Sequence, residues 1–204
     1  MTDDQTTDRP ITVVATFTLK GDAAEFEQLL AEQAELMRAG DGFELGVLAR
    51  STTSPDTYVN LAWWRDSQSY LSVVRSYAFA AKAMSELPRL ADARIDRFVP
   101  TADHGTLLPA DGAEQGVLVL AVHDADESAA EQVEAGWAAH TEQLAGQEGF
   151  LGAALGRSEV RPGGHGQLGW WRDEAAAAAA PGYRAEGTET LVLRPVHTVS
   201  GRTA

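Results

Sequence analysis

Residues 42–66 read GFELGVLARSTTSPDTYVNLAWWRD, and residues 149–173 read GFLGAALGRSEVRPGGHGQLGWWRD. The two stretches align without a gap at an offset of 107, and 11 of the 25 paired positions are identical. Gly42 pairs with Gly149, Phe43 with Phe150, Arg50 with Arg157 and Pro55 with Pro162. The block Trp63-Trp64-Arg65-Asp66 returns whole as Trp170-Trp171-Arg172-Asp173. Four of the five tryptophans fall in these blocks, so a shared composition does not explain the match. Self-similarity at a fixed offset marks a duplicated structural unit.

The pattern extends outward from the blocks. The strand-like run Ile11 to Lys20 has a counterpart in Leu118 to Val122, and an amphipathic helix follows each. Asp22 with Glu25 and Ser128 with Glu131 have the spacing of capping boxes. Phe26, Leu29, Leu30 and Met37 recur at helical spacing, as do Val133, Trp137 and Leu144. Strands are expected near 11–19, 43–52, 57–65 and 93–100, with helices near 22–38 and 67–86. In the second half strands are expected near 116–123, 150–158, 165–172 and 189–198, with helices near 127–145 and 174–181. The Ala run ends at Pro181, which stops helix propagation. The stretch 101–115 reads as a linker between modules at 8–107 and 114–200.

Each half is therefore βαββαβ, the order of a four-stranded antiparallel sheet with both helices on one face. Along residues 58–64, Tyr58, Asn60, Ala62 and Trp64 point to one side and Val59, Leu61 and Trp63 to the other. The second set is apolar and needs cover. Leu168 and Trp170 present the same face in the second half. The expected fold is α+β, with two ferredoxin-like modules fused in tandem and their antiparallel sheets packed face to face.

Composition narrows the function classes. The 204 residues (21.8 kDa) are 44% hydrophobic and 23% charged, which is ordinary globular usage. The net charge of −14 repels phosphate backbones and anionic lipid, so neither nucleic acid nor a membrane is an expected partner. Without cysteine there is no disulfide, thiolate metal site or Cys nucleophile. No apolar run approaches the roughly 18 residues of a membrane span, and the start MTDDQTTDRP lacks a secretory signal pattern. A cytoplasmic location is expected.

The stretch VNLAWWRDSQSY at 59–70, with SELPRL at 85–90 and HGTLLP at 104–109, resembles the antibiotic biosynthesis monooxygenase family of the dimeric α+β barrel group. The N-terminal half is most like the cofactor-independent, quinone-forming monooxygenases of aromatic polyketide pathways, of the actinorhodin-pathway type. The family motif is an Asn, a Trp four residues on and a Tyr six beyond it, matched here by Asn60, Trp64 and Tyr70. The resemblance implies that the fused pair forms an intramolecular α+β barrel. It further implies that Asn60 and Trp64 donate hydrogen bonds to substrate or peroxide oxygens and that Tyr70 relays protons. The family's late-helix Arg position falls at Ala81, beside Lys82, which is assigned the charge-stabilising role. In the second half Gln167, Trp171 and Ala177 stand at the motif positions, so that site is expected to be degenerate.

The residues support a small-molecule site on their own chemistry. Asn60 and Trp64 share a strand face about 13 Å apart at ~3.3 Å per residue. The small Ala62 lies between them, Tyr70 opens the next helix, and Gln33 sits on the apolar face of the first helix. This predicts a mostly apolar hollow with a few polar tips. Tyr58, on the same strand face, and Gln33 and Ala62 are candidate substrate contacts. Trp171 and His140, the latter at the position equivalent to Gln33, are candidates in the second half. The five histidines form no close metal motif; a site from His123 and His140 is disfavoured and no metal is expected. His165, in a Gly-rich turn, is expected to be exposed. No G-x-G-x-x-G after a strand, P-loop or G-x-S-x-G is present.

The function read from the sequence is a monooxygenase that converts an anthrone- or naphthol-type polyketide to a quinone. It uses O2 as co-substrate and no other cofactor, and a homodimer of the fused pair is expected. The alternative is a non-oxidative polyketide-binding or cyclase-like protein on the same fold.

Overall fold

The computed structural model describes residues 9–105, 116–180 and 188–201. The first half supplies β1 (Ile11–Leu19), α1 (Ala23–Arg38), β2 (Phe43–Ser51) and β3 (Thr57–Trp64). It continues through α2 (Ser67–Val74), α3 (Tyr77–Ser85), α4 (Leu87–Leu90) and β4 (Ala91–Gly105). The second half supplies β5 (Val117–Asp124), α5 (Ala130–Ala145), β6 (Phe150–Ser158), β7 (Gly164–Trp171), α6 (Glu174–Ala179) and β8 (Glu189–Ser200).

Two compact units result. Among the described residues, one holds 9–50, 54–96 and 196–201, and the other 51–53, 97–105, 116–180 and 188–195, so β4 and β8 each contribute to both. In the first unit β3 lies between β1 and β2, antiparallel to each, with Ala15 opposite Asn60 and Leu48 opposite Asn60 on the other side. Gly201 N–H donates to the Glu44 carbonyl at 2.7 Å, tying the residue after β8 beside β2. In the second unit β7 lies between β5 and β6, β8 pairs with β5, and the outer part of β4 pairs with β6. The βαββαβ order expected from the repeat is the order of both halves.

The duplicated residues explain the duplicated turns. Gly42 (φ 79°) and Gly149 (φ 85°) adopt the left-handed conformation that favours glycine at the entry to β2 and β6. Both strands then shift register at the next step, between Phe43 and Leu45 and between Phe150 and Gly152. Asp66 and Asp173 each cap the helix after the Trp-Trp-Arg block, accepting from Ser69 N–H at 2.6 Å and Ala176 N–H at 2.8 Å. Phe43 meets Trp64 edge-on at 5.1 Å, and Phe150 meets Trp171 likewise at 5.1 Å. The first-unit core gathers Phe17, Phe26, Leu29, Leu30, Tyr58 and Leu90, where β1 and β3 meet α1. Val59 and Leu61 are also fully buried, so the apolar set on the other face of β3 is covered.

Four local expectations are corrected. The helix predicted over 67–86 breaks at Arg75–Ser76, because Ser76 adopts extended backbone and caps α3 through a bond from Phe79 N–H. Ser128 caps nothing: a 3-10 turn over Glu127–Ala129 precedes α5, and its start has no side-chain cap. The segment read as a linker from 101 is strand as far as Gly105, held to β6 through partners such as His104 opposite Ala153; residues 106–115 lie outside the described residues, as does Pro181. His165 is 1% exposed, because it lies in β7 opposite His123 of β5 and the two rings stack at 5.5 Å.

Candidate active site

In the first unit, Asp66 fixes where α2 begins and so where Tyr70 points. Its carboxylate accepts from Ser69 N–H, its carbonyl accepts from Tyr70 N–H at 3.3 Å, and Arg65 Nε donates to it at 3.1 Å. Burial opposes the charge on Asp66, but the Ser69 N–H and the Arg65 guanidinium outweigh it and hold the carboxyl below its ordinary range. Arg65 is itself held by Asp41 at 2.9 Å and donates to Ser69 Oγ at 3.0 Å. Tyr70 is thereby laid edge-on against the Trp64 indole, ring centres 5.7 Å apart. Trp64 is 0% exposed, and its Nε1–H has no protein acceptor. A buried indole donor without a partner is costly unless something else accepts from it.

The remaining predicted residues take different places. Ala62 is buried between Asn60 and Trp64, and Asn60 is half-buried on the same strand. Gln33 is buried on α1 with its Nε2 unpartnered. Tyr58 points to the other end of the strand face, where its hydroxyl donates to Glu27 Oε1 at 2.6 Å; burial and that carboxylate push its phenol up to about 12. Lys82 of α3 is paired with Glu32 of α1 and is partly exposed. The structure brings Trp64 and Tyr70 into contact, while Tyr58 and Lys82 are each tied to a glutamate of α1.

In the second unit the same strand face bounds a cavity of about 320 Å3 between the sheet, α5 and α6. Trp137, His140 and Thr141 line it from α5, Gln167 and Trp171 from β7, and Ala177 from α6. The reason it is open is legible in the repeat. Ala177 stands where Tyr70 stands in the first half, Gly169 where Ala62 stands and Ala180 where Val73 stands. The Tyr70 ring that packs Trp64 has no counterpart beside Trp171, which clusters with Ala176 and Ala177 of α6. Gln167 Nε2 and Thr141 Oγ1 are buried there without partners. Burial lowers the His140 imidazole below its ordinary value, favouring the neutral ring. Thr141, and the volume freed by Ala177, were not singled out from the sequence; the signal was the substitution of Tyr by Ala at the repeat offset. Among the described residues no group of three or more His, Asp or Glu side chains is placed to hold a metal ion.

Residues 10–83 match the antibiotic biosynthesis monooxygenase family. The chain is 30% identical over 95 residues to deoxynogalonate monooxygenase of Streptomyces nogalater, across 47% of this chain and 72% of that protein. The chain belongs to the antibiotic biosynthesis monooxygenase family. Like that family it is an oxidoreductase of the monooxygenase type, and it acts in antibiotic biosynthesis. Among solved structures, SnoaB of Streptomyces nogalater, described as a cofactor-independent oxygenase, is 30% identical over 50% of this chain and 99% of that one, with a TM-score of 0.44. An anthrone oxidase-like protein matches at a TM-score of 0.74 and 14% identity, across 95% of this chain and 94% of that chain. That likeness shows the fold alone, and it spans both halves of the chain. No helix among the described residues is long and apolar enough to cross a membrane.

Proposed function

We propose that this monooxygenase oxidises a polycyclic aromatic polyketide of anthrone or naphthol type to a quinone, using O2 and no flavin, haem or metal. The observation that carries the reading is the buried Trp64 indole N–H, without an acceptor and packed on Tyr70, on the strand that also presents Asn60. Support for the substrate class comes from the relative named deoxynogalonate monooxygenase, and for cofactor independence from the description of SnoaB.

The chemistry needs little from the protein because the substrate supplies the electrons. Removing a proton from an activated ring CH2 leaves a delocalised carbanion. It transfers an electron to O2, and recombination forms a C–O bond and a peroxide on that carbon. Loss of water breaks the O–O bond and leaves a carbonyl. One O2 is consumed, one oxygen atom enters the product and the other leaves as water. Asn60 holds the substrate carbonyl oxygen and stabilises the enolate charge. Trp64 Nε1–H donates to the peroxide, and Tyr70 moves the proton that departs with water. Lys82 is paired with Glu32, so the charge-stabilising role requires that pair to open when substrate binds. A cytoplasmic location and a homodimer of the chain belong to the same reading.

The test is oxygen uptake with an anthrone substrate and no added cofactor. Trp64→Phe and Tyr70→Phe should each lower kcat by about 10-fold or more, with unchanged circular dichroism. Equal rates in both variants and the wild type would remove the assignment. Binding without oxygen uptake would favour the non-oxidative alternative.

A further inference from the structure

We propose that α3 is a movable lid over the Trp64–Tyr70 site, latched to α1 by the Lys82–Glu32 ion pair, and that this latch opens to admit substrate. The opening is read from the geometry alone; only what the lid admits rests on the reaction proposed above.

The site is shut in this structure. Trp64, Tyr70 and Gln33 are buried, and neither Trp64 Nε1–H nor the Gln33 Nε2 amide has a protein acceptor. An acceptor for either donor has to come from outside, so one of the surrounding elements has to move. Three of them are held in place. β3 lies between β1 and β2, α1 buries Phe26, Leu29, Leu30 and Met37, and α2 buries Tyr70 and Val73 behind its Asp66 cap.

α3 is different. None of its residues is buried, Tyr77 is 90% and Met84 79% exposed, and its least exposed side, Phe79, Lys82 and Ala83, is half-buried. The break at Arg75–Ser76 separates it from α2 and offers a hinge, because Ser76 already sits in extended backbone. An element with so little buried apolar surface opens locally at low free energy.

The repeat shows that the sheet does not need this length of chain. Residues 67–90, 24 in all, separate Asp66 from β4, whereas residues 174–188, 15 in all, separate Asp173 from β8. Both halves build the same strand order, so the added length that accommodates α3 serves something else. Its placement says what. α3 follows α2 in the chain and reaches the middle of α1, where Lys82 pairs with Glu32, the neighbour of Gln33. It thus bridges the two helices that carry Tyr70 and Gln33. Gln28 Nε2 donates to Glu32 Oε1 at 3.2 Å and steadies that carboxylate from one turn earlier. The Lys82 and Glu32 side chains are 34% and 46% exposed, and a pair this exposed biases an equilibrium by no more than about 5-fold. That suits a latch, which favours the closed lid and yields to a ligand that offers Lys82 another anion.

The chain has no cysteine, so two can be introduced without competition. Glu32→Cys with Ser85→Cys, one helical turn beyond Lys82, keeps Lys82 and puts a thiol on each side of the latch. A short bis-methanethiosulfonate reagent should bridge them, and a thiol reductant should release the bridge. The readout is deuterium exchange at the indole N–H groups of protein carrying 15N-tryptophan, which needs no substrate. Bridging should slow exchange at Trp64 by about 5-fold or more relative to the released protein, with Trp171 of the other unit unchanged. Glu32→Lys sets two like charges together and should speed exchange at Trp64 by about 5-fold, again without effect on Trp171. Oxygen uptake with an anthrone should fall about 10-fold or more on bridging and return on reduction.

The lid is overturned if bridging leaves Trp64 exchange unchanged, if it slows Trp64 and Trp171 alike as a general stabilisation does, or if uptake survives the bridge. Should the bridge not form, Glu32→Lys decides, and equal exchange at Trp64 in variant and wild type rejects the lid. Failure of the proposed reaction would appear as no oxygen uptake in the wild type and the released protein, and the exchange rates would still judge the lid.

Discussion

Replacing Asp66 by Ala should cost clearly more than replacing Asp173 by Ala, although the two residues cap their helices through the same bond. Both carboxylates accept from the N–H three residues on, at 2.6 Å for Ser69 and 2.8 Å for Ala176. Losing an N-cap costs about 0.5–2 kcal/mol, typically ~1. The position within that range depends on whether water can replace the lost acceptor. The Asp173 side chain is 47% exposed, so water reaches the freed Ala176 N–H and the cost should stay near ~1 kcal/mol. Asp66 and Ser69 are both buried, so the freed N–H stays unpaired and the cost should reach about 2 kcal/mol. For a chain of this length ~1 kcal/mol moves the melting midpoint by about 2–4 °C. Thermal denaturation should therefore show a fall of about 4–8 °C for Asp66→Ala and about 2–4 °C for Asp173→Ala. Asp66→Asn keeps an acceptor and should recover most of the loss at pH 7. Because the Asp66 carboxyl is held below its unfolded value of 3.8, its charge stabilises the fold above that pH. That contribution disappears as pH falls through the lower folded value, so the wild type and Asp66→Asn should converge there. Asp66 also sets the start of α2, so Asp66→Ala should lower oxygen uptake by displacing Tyr70 from Trp64. Equal midpoints for the two alanine variants, or an Asn variant as unstable as the Ala variant, would refute the reasoning.

Two further predictions concern buried titratable groups. Ultraviolet titration should show a tyrosine step near pH 12, and Tyr58→Phe should remove it; a step that persists in the variant would contradict the burial of Tyr58 beside Glu27. His123 lies under its ordinary value of 6.5, through burial first and then through His165; Arg161 adds to the effect and Asp124 opposes it. The unfolded chain then binds the proton more readily, so His123 contributes stability that is present above pH 6.5 and lost as pH falls below it. His123→Leu should flatten the dependence of urea midpoint on pH below 6.5; an unchanged slope would place the acid sensitivity elsewhere.

Much of the fold is local chemistry and can be read from the chain. The Trp-Trp-Arg-Asp block ends a strand and starts a helix twice because Asp is a strong N-cap and its position is fixed by the strand before it. The alternation in 58–64 assigns faces because a strand side chain has period two. Ser76 is also a local signal, a cap in the middle of an otherwise helical pattern, yet it is easily missed where Ala-rich sequence continues on its far side. His165 escaped because Gly-rich sequence reads as a turn, whereas the ladder with β5 makes it strand and stacks it on His123.

The candidate site divides along the same line. The sequence alone determined the duplication, the order of elements in each half and the shared strand face of Asn60, Trp64 and their counterparts, since each follows from identity and periodicity along the chain. Only the tertiary structure decided that Tyr58 and Lys82 are taken by Glu27 and Glu32, and that the described cavity lies beside Trp171. A cavity is the volume that several distant elements leave unfilled together. Periodicity reports which way each side chain points, but the space between α5, α6 and β7 exists only once their small residues face one another.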